Sequence, residues 1–113
     1  MLASEESPLA DRFRAVFVLR NIGGEASINA LIGGMKTDSA LLKHEIAYCI
    51  GQLEDAYAIP FLTTVLEDKH ENSMVRHEAG EALGAIGDEG AMKVLVKNRD
   101  DLTNPIEVAN CND

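Results

Sequence analysis

The segment LLKHEIAYCIGQLEDAYAIPFL, from Leu41 to Leu62, recurs 33 residues later as MVRHEAGEALGAIGDEGAMKVL, from Met74 to Leu95. The identical pairs are His44/His77, Glu45/Glu78, Gly51/Gly84, Asp55/Asp88, Ala58/Ala91 and Leu62/Leu95. A fainter copy lies 31 residues before the first segment and pairs Leu19 with Ile50, Ile22 with Leu53 and Ile28 with Ile59. A period in the low thirties is typical of a stacked repeat array, in which each unit buries its apolar face against its neighbours.

Each unit has the pattern of two helices, with apolar residues at helical spacing in the first. These residues are Leu42, Ile46, Cys49, Ile50 and Leu53 in one copy and Val75, Ala79, Ala82, Leu83 and Ile86 in the next. Residues that cap helix N-termini precede the first helices (Asp38-Ser39 and Asn72-Ser73) and the second helices (Asp55 and Asp88). We predict helices near 9–21, 25–35, 39–53, 56–68, 73–86 and 89–98, and a seventh from Asn104-Pro105. The fold class is therefore all-α: residues 1–113 form one HEAT-type α-solenoid domain of helical hairpins, with a little over three repeats.

The charge of the sequence limits the kinds of molecule that the chain is expected to bind. Ten basic residues against 19 acidic ones give a net charge of −9, which disfavours nucleic acid or an anionic membrane as the main partner and suits a cationic one. No segment approaches the roughly 18 apolar residues of a membrane span, and the acidic N-terminus lacks the features of a secretory signal. Two cysteines, Cys49 and Cys111, make no disulfide framework. We expect a cytoplasmic protein.

The two His-Glu pairs are the candidate site. On a helical wheel His44 lies opposite the apolar stripe, and His77 repeats this position one unit later. Small residues flank both histidines on their own face: Ala47 and Gly51 beside His44, and Gly80 and Gly84 beside His77. Since a glycine inside a helix costs about 1 kcal/mol relative to alanine, these glycines have a packing or functional reason. We expect a hollow beside each imidazole.

A shared metal ion is one interpretation of this pattern. Helices of adjacent repeats pack about 8–10 Å apart, so His44 and His77 could reach one ion, with Glu45 and Glu78 on the edge of the same face. Two imidazoles and a carboxylate suit a non-haem ferrous centre, and zinc accepts the same ligands. A duplicated surface on a protein-binding scaffold without chemistry is the other interpretation, and the residues alone leave both open.

Two further motifs are set aside. The HExxH pattern of a zinc protease fails, because Tyr48 and Glu81 stand where it requires a second histidine. The pair His70-Glu71 lies in a polar loop out of phase with the repeat. We therefore expect His70 to be solvated and without a role.

The His-Glu repeats resemble those of the deoxyhypusine hydroxylase family. The resemblance is carried by DSALLKHEIAYCIGQ (38–52) with Ala58-Ile-Pro60, by MVRHEAGEALGAIGD (74–88), and by the shorter matches Arg12–Ala15, Leu19-Arg20 and Pro105–Ala109. The family is a group of HEAT-repeat di-iron monooxygenases that hydroxylate the deoxyhypusine side chain of the hypusine-containing translation initiation factor. By resemblance, His44, His77 and Glu78 match the ligands of one iron, and Glu45 matches the carboxylate that binds the substrate amine.

The resemblance also implies a missing part. The family's usual chain has two such halves and four His-Glu pairs, whereas this sequence resembles the N-terminal half and carries ligands for one iron. A di-iron centre would then need a second copy facing the first across a two-fold axis, or a second half. The end of the sequence inside a fourth repeat favours a truncated half. A scaffold and a bilin-lyase-type repeat protein are the alternatives with the same architecture.

Overall fold

The structure, a computed structural model, describes residues 8–98 and is built from three successive helix pairs. The helices are α1 (Leu9–Ile22), α2 (Gly24–Gly33), α3 (Ala40–Leu53), α4 (Ile59–Glu67), α5 (Ser73–Ile86) and α6 (Glu89–Lys97). Residues 8–98 contain no strand. The all-α fold of helical hairpins is thereby confirmed, and the helix predicted from Asn104-Pro105 lies outside the described residues.

The predicted N-caps are confirmed by hydrogen bonds. Ser39 Oγ accepts from the Leu42 N–H at 3.1 Å, and the Asn72 side chain accepts from the N–H groups of Met74 and Val75. Asp55 and Asp88 cap the second half of their units in the same way. Each cap satisfies donors that the first turn of a helix leaves unpaired, which is why these positions fix where the helices start.

The helix predicted over 56–68 is interrupted at its start. Residues Ala56–Ala58 form a single 3-10 turn, and α4 begins only at Ile59. Proline has no N–H, so Pro60 cannot donate to the carbonyl of Ala56 as a regular helix requires. The Ile59 N–H donates to that carbonyl instead, one residue earlier.

The core is formed by the apolar stripes that the periodicity predicts. In α3, Leu42, Ile46, Cys49 and Ile50 are fully buried, and Leu53 packs partly buried against them. Helix α3 lies in the middle of the stack because it contacts α1 on one side and α5 on the other, and its contact with α5 is the most extensive between any two helices of residues 8–98. No helix in this range is both long and apolar enough to cross a bilayer.

The close approach of α3 and α5 depends on Gly51. A Cβ atom at this position would lie 2.8 Å from Cβ of Ala82 and 2.9 Å from its Cα. Ala47 and Gly80 are also buried. Gly51 therefore has a packing reason, because Ala82 of the neighbouring helix leaves no room for a side chain at this position.

Candidate metal centre

His44 and Glu78 meet across the contact between α3 and α5. Nε2 of His44 lies 3.0 Å from Oε2 of Glu78, and the two side chains are 32% and 9% exposed. His44 thus lies outside the core, as the helical wheel predicts, and Glu78 is nearly buried. The pair joins the first helices of two successive repeats, which is the connection that a shared site between repeats requires.

The distance between these two atoms suits adjacent metal ligands. Nitrogen and oxygen donors lie about 2.1 Å from a divalent transition-metal ion, so two donors at the right angles of an octahedral site are about 3 Å apart. The 3.0 Å between His44 and Glu78 matches this separation. An ion could therefore take the place of the hydrogen that the two groups share.

The electrostatic setting of Glu78 also favours a cation. Burial raises the pKa of its carboxyl above the ordinary value, and the nearby His44 and His77 oppose this while Glu81 adds to it. The ionised form is thus costly, because desolvation outweighs its present partners. A divalent cation would offset that cost more strongly than an imidazole does.

His77 is turned to a different partner. Its Nε2 lies 3.0 Å from Oε1 of Glu81, one helical turn further along α5, and these side chains are 39% and 61% exposed. Within residues 8–98 no three histidine, cysteine, aspartate or glutamate side chains are grouped so that they could hold a metal ion. The structure therefore brings together two of the predicted ligands, and His77 would have to turn from Glu81 to complete the set.

The Glu45 carboxylate has a partner on its own helix, α3. Its Oε1 is 3.8 Å from Sγ of Cys49 in the same helix, and the thiol donates to it. The structure describes no contact of Glu45 with His77 or Glu78. His70 is exposed in the loop between α4 and α5, as expected of a solvated residue.

An open cleft of about 250 Å³ adjoins Glu78. It is lined by Tyr48, Gly51, Gln52, Glu54, Glu78, Glu81, Ala82 and Ala85. Three of these side chains are carboxylates, and the small residues make an apolar floor. Glu54 and Glu81 are not among the residues predicted from the sequence for this site, and the signal for Glu81 is its position four residues after His77.

The thiol of Cys49 should be unreactive in the folded chain. Burial, and then the Glu45 carboxylate, raise the pKa of Cys49 from 9.0 to about 11, and its side chain is fully buried. In a Cys111→Ser background we expect iodoacetamide at pH 8 to alkylate Cys49 at least about 100-fold more slowly in buffer than in urea, because a two-unit rise lowers the thiolate fraction by that factor. Rates followed by mass spectrometry test this, and equal rates would contradict the burial of Cys49.

The pKa shift of Cys49 also makes the stability of the folded chain depend on pH. The unfolded chain loses this proton near pH 9 and the folded chain near pH 11. The contribution of Cys49 to stability is therefore fully present below pH 9 and is lost as the pH rises toward 11.

Comparison with known proteins defines the class of this chain. The sequence profile of HEAT repeats matches residues 35–108, and the profile of the PBS lyase HEAT-like repeat matches residues 11–37. The chain belongs to the HEAT-repeat family.

More specific similarity is to deoxyhypusine hydroxylases. The chain is 52% identical to the Drosophila melanogaster enzyme over 101 residues, which are 89% of this chain and 33% of the relative. It is 52% identical to the human enzyme over 108 residues, which are 96% of this chain and 35% of the relative. The solved structure of human deoxyhypusine hydroxylase in complex with glycerol matches with a TM-score of 0.86 and 50% identity, over 98% of this chain and 38% of that one. The predicted resemblance is thus confirmed, and the chain spans about a third of the length of these relatives.

Proposed function

We propose that this chain is part of a deoxyhypusine hydroxylase-type, iron-dependent monooxygenase. The observation that carries the proposal is the contact of His44 with Glu78 across successive repeats, in a chain about half identical to deoxyhypusine hydroxylases. A scaffold that only binds proteins does not require a nearly buried carboxylate in contact with an imidazole, beside a cleft that is lined by two further carboxylates. The cell compartment that goes with this function is the cytoplasm.

Three residues of this chain would bind the metal ion, and one would bind the substrate. His44, His77 and Glu78 would hold one ferrous ion, and iron supplies the activation of dioxygen when it is bound. His77 would contribute its imidazole from the exposed face of α5, one residue before Glu78. Glu45, the fourth residue of the candidate set, would bind the ammonium group of the substrate through its carboxylate.

The substrate in this proposal is the deoxyhypusine side chain of the hypusine-containing translation initiation factor. A long aliphatic side chain with an amine needs an apolar path that has negative charge beside it. The cleft next to Glu78 offers this combination for the aliphatic part of the side chain, since Ala82 and Ala85 line it together with Glu54 and Glu81, whereas Glu45 is not one of its lining residues. The net charge of −9 further favours the approach of a cationic group.

This chain spans about a third of the length of its relatives, and its proposed ligands His44, His77 and Glu78 would hold one iron. The ligands of a second iron would therefore have to come from outside this chain. Either a second copy or a second half would supply them. Bound iron would offset the repulsion between two acidic surfaces, so association should tighten when ferrous iron is added and loosen on chelation. Size-exclusion chromatography with light scattering, with and without ferrous iron, measures this.

Hydroxylation itself is tested by mass spectrometry on the deoxyhypusine-containing factor. With dioxygen and an electron donor, which supplies the two electrons that convert the second oxygen atom to water, we expect the factor to gain one oxygen atom when the associated, iron-loaded chain is present. The Glu45→Gln variant should bind iron but lose this product. If the chain stays monomeric with iron and yields no product, it does not catalyse the reaction by itself. If it also binds no iron, the protein-binding scaffold is the better account.

A further inference from the structure

The glutamate of the His70-Glu71 pair makes a contact that its loop position does not predict. Nζ of Lys43 lies 3.2 Å and 3.3 Å from the two carboxylate oxygens of Glu71, and the two side chains are only 21% and 15% exposed. Lys43 belongs to α3 and precedes His44, whereas Glu71 lies in the loop just before α5. This ion pair therefore joins the same two helices as the contact of His44 with Glu78.

Glu71 is also tied to the first turn of α5. Its Oε1 accepts from the N–H of Asn72 at 2.7 Å, and Asn72 caps α5 by accepting from the N–H groups of Met74 and Val75. A helix rises 1.5 Å per residue and moves as a rod, so a shift of its first turn is carried to Glu78, about 8 Å further along. The ion pair thus acts on the position of α5 as well as on the loop.

Apolar packing alone fixes the register of α3 and α5 less sharply than the contact of His44 with Glu78 requires. Hydrophobic burial is non-directional, whereas a hydrogen bond of 3.0 Å is lost after a shift of about half an ångström. The close approach of Gly51 to Ala82 lies toward the C-terminal ends of the two helices, and the ion pair lies at the opposite ends. Charge-assisted hydrogen bonds are about twice as strong as neutral ones, so the ion pair can fix the register there.

We propose that Lys43 and Glu71 are positioning residues for the candidate metal centre: their ion pair fixes the register of α5 against α3 and so holds the Glu78 carboxylate beside the His44 imidazole. Both residues act through this contact and touch neither metal nor substrate. The importance of the contact for metal binding rests on the proposed function, whereas the register itself is measurable without metal.

A double-mutant cycle on the full, metal-free chain measures the coupling between His44 and Glu78. Urea unfolding of the wild type, His44→Ala, Glu78→Gln and the double variant gives this coupling. The cycle is then repeated with Lys43→Met, which removes the ammonium group and keeps an unbranched side chain. We expect the coupling to fall by about half or more in the Lys43→Met background. An ion pair that contributes only to overall stability would lower the urea midpoint and leave the coupling unchanged, and that result would overturn the proposal.

Two control variants accompany the cycle. Lys43→Arg keeps a cation that can reach both oxygens of Glu71, and Arg76 is the aligned residue in the next repeat. Lys93→Met removes the cation of an exposed pair in α6, in which Nζ lies 3.5 Å from the Glu89 carboxylate. Both controls should retain the wild-type coupling. An equal loss of coupling in Lys93→Met would mean that the loss of any ion pair has this effect, and the proposal would fail.

Ferrous iron affinity, measured by anaerobic titration against a chromophoric chelator, tests the same role in metal binding. Removal of a positive charge beside a cation site should tighten binding by simple electrostatics, whereas the loss of a positioning contact should weaken it about 10-fold or more. We expect the weaker binding for Lys43→Met, and affinities within about 3-fold of the wild type for Lys43→Arg and Lys93→Met. Unchanged or tighter binding by Lys43→Met would overturn the positioning role. A wild type that binds no iron would overturn the proposed function instead, and the coupling measurement would still decide whether the ion pair fixes the register.

Discussion

Gly51→Ala is expected to lower the free energy of unfolding by about 1–3 kcal/mol, the usual cost of overpacking a tight contact. Alanine is the better helix former by about 1 kcal/mol, so helix propensity alone predicts the opposite sign. The added methyl group would lie 2.8 and 2.9 Å from Cβ and Cα of Ala82. One of these atoms belongs to the backbone of α5, so the two helices must move apart to admit it.

Gly84→Ala is the matched control, because Gly84 is the aligned residue one repeat later. There the nearest atom to an added Cβ is Cδ1 of Leu95 at 3.9 Å, an ordinary contact. We expect this variant to be as stable as the wild type or more stable by up to about 1 kcal/mol. Urea unfolding followed by circular dichroism compares the two. Similar behaviour of both variants would mean that Gly51 does not set the approach of α3 to α5.

His44→Ala and His77→Ala are each expected to weaken ferrous iron binding about 100-fold or more, since a metal site seldom survives the loss of one of three protein ligands. Helical content should be unchanged, because both imidazoles lie outside the core, at 32% and 39% exposure. His44→Ala should also lower stability somewhat, since it leaves the nearly buried Glu78 without its partner. Anaerobic iron titration and circular dichroism on the same samples check these expectations.

His70→Ala supplies the control for this pair. His70 is exposed in a loop, so its removal should change neither iron affinity nor helical content. Loss of helicity along with iron in the other two variants would make His44 and His77 structural residues, and equal losses in all three would point to non-specific binding.

Much of the fold could be predicted because it follows from local rules that repeat. Leu42, Ile46 and Ile50 recur at helical spacing, and they are buried as that spacing requires. Ser39 and Asp88 are capping residues, and both make the expected hydrogen bonds. The sequence repeat makes the helix assignment more certain, because the same assignment must fit each copy of the repeat.

The features that were missed depend on contacts between helices or on side-chain orientation. The spacing of Gly51 places it beside His44, but only the position of Ala82 on α5 shows that its space is filled. The same holds for the site: periodicity puts His77 on the right face, yet whether its ring meets Glu81 or His44 depends on rotation about side-chain bonds. The 3-10 turn before α4 follows from a local rule, since Pro60 lacks the N–H that a regular helix over 56–68 would need.

The proposed binding of one metal ion by His44 and His77 is tested most directly by proton NMR of the full chain with cobalt(II). Cobalt(II) shifts the ring N–H signals of the histidines that bind it, so the number of shifted, solvent-exchangeable signals counts the ligands. We expect two such signals in the wild type and in His70→Ala, and the loss of one or both signals in His44→Ala and in His77→Ala, because each of these variants removes one ligand and weakens the site. No shifted signal, or a pattern that is the same in the His44→Ala and His77→Ala variants as in the wild type, would contradict it.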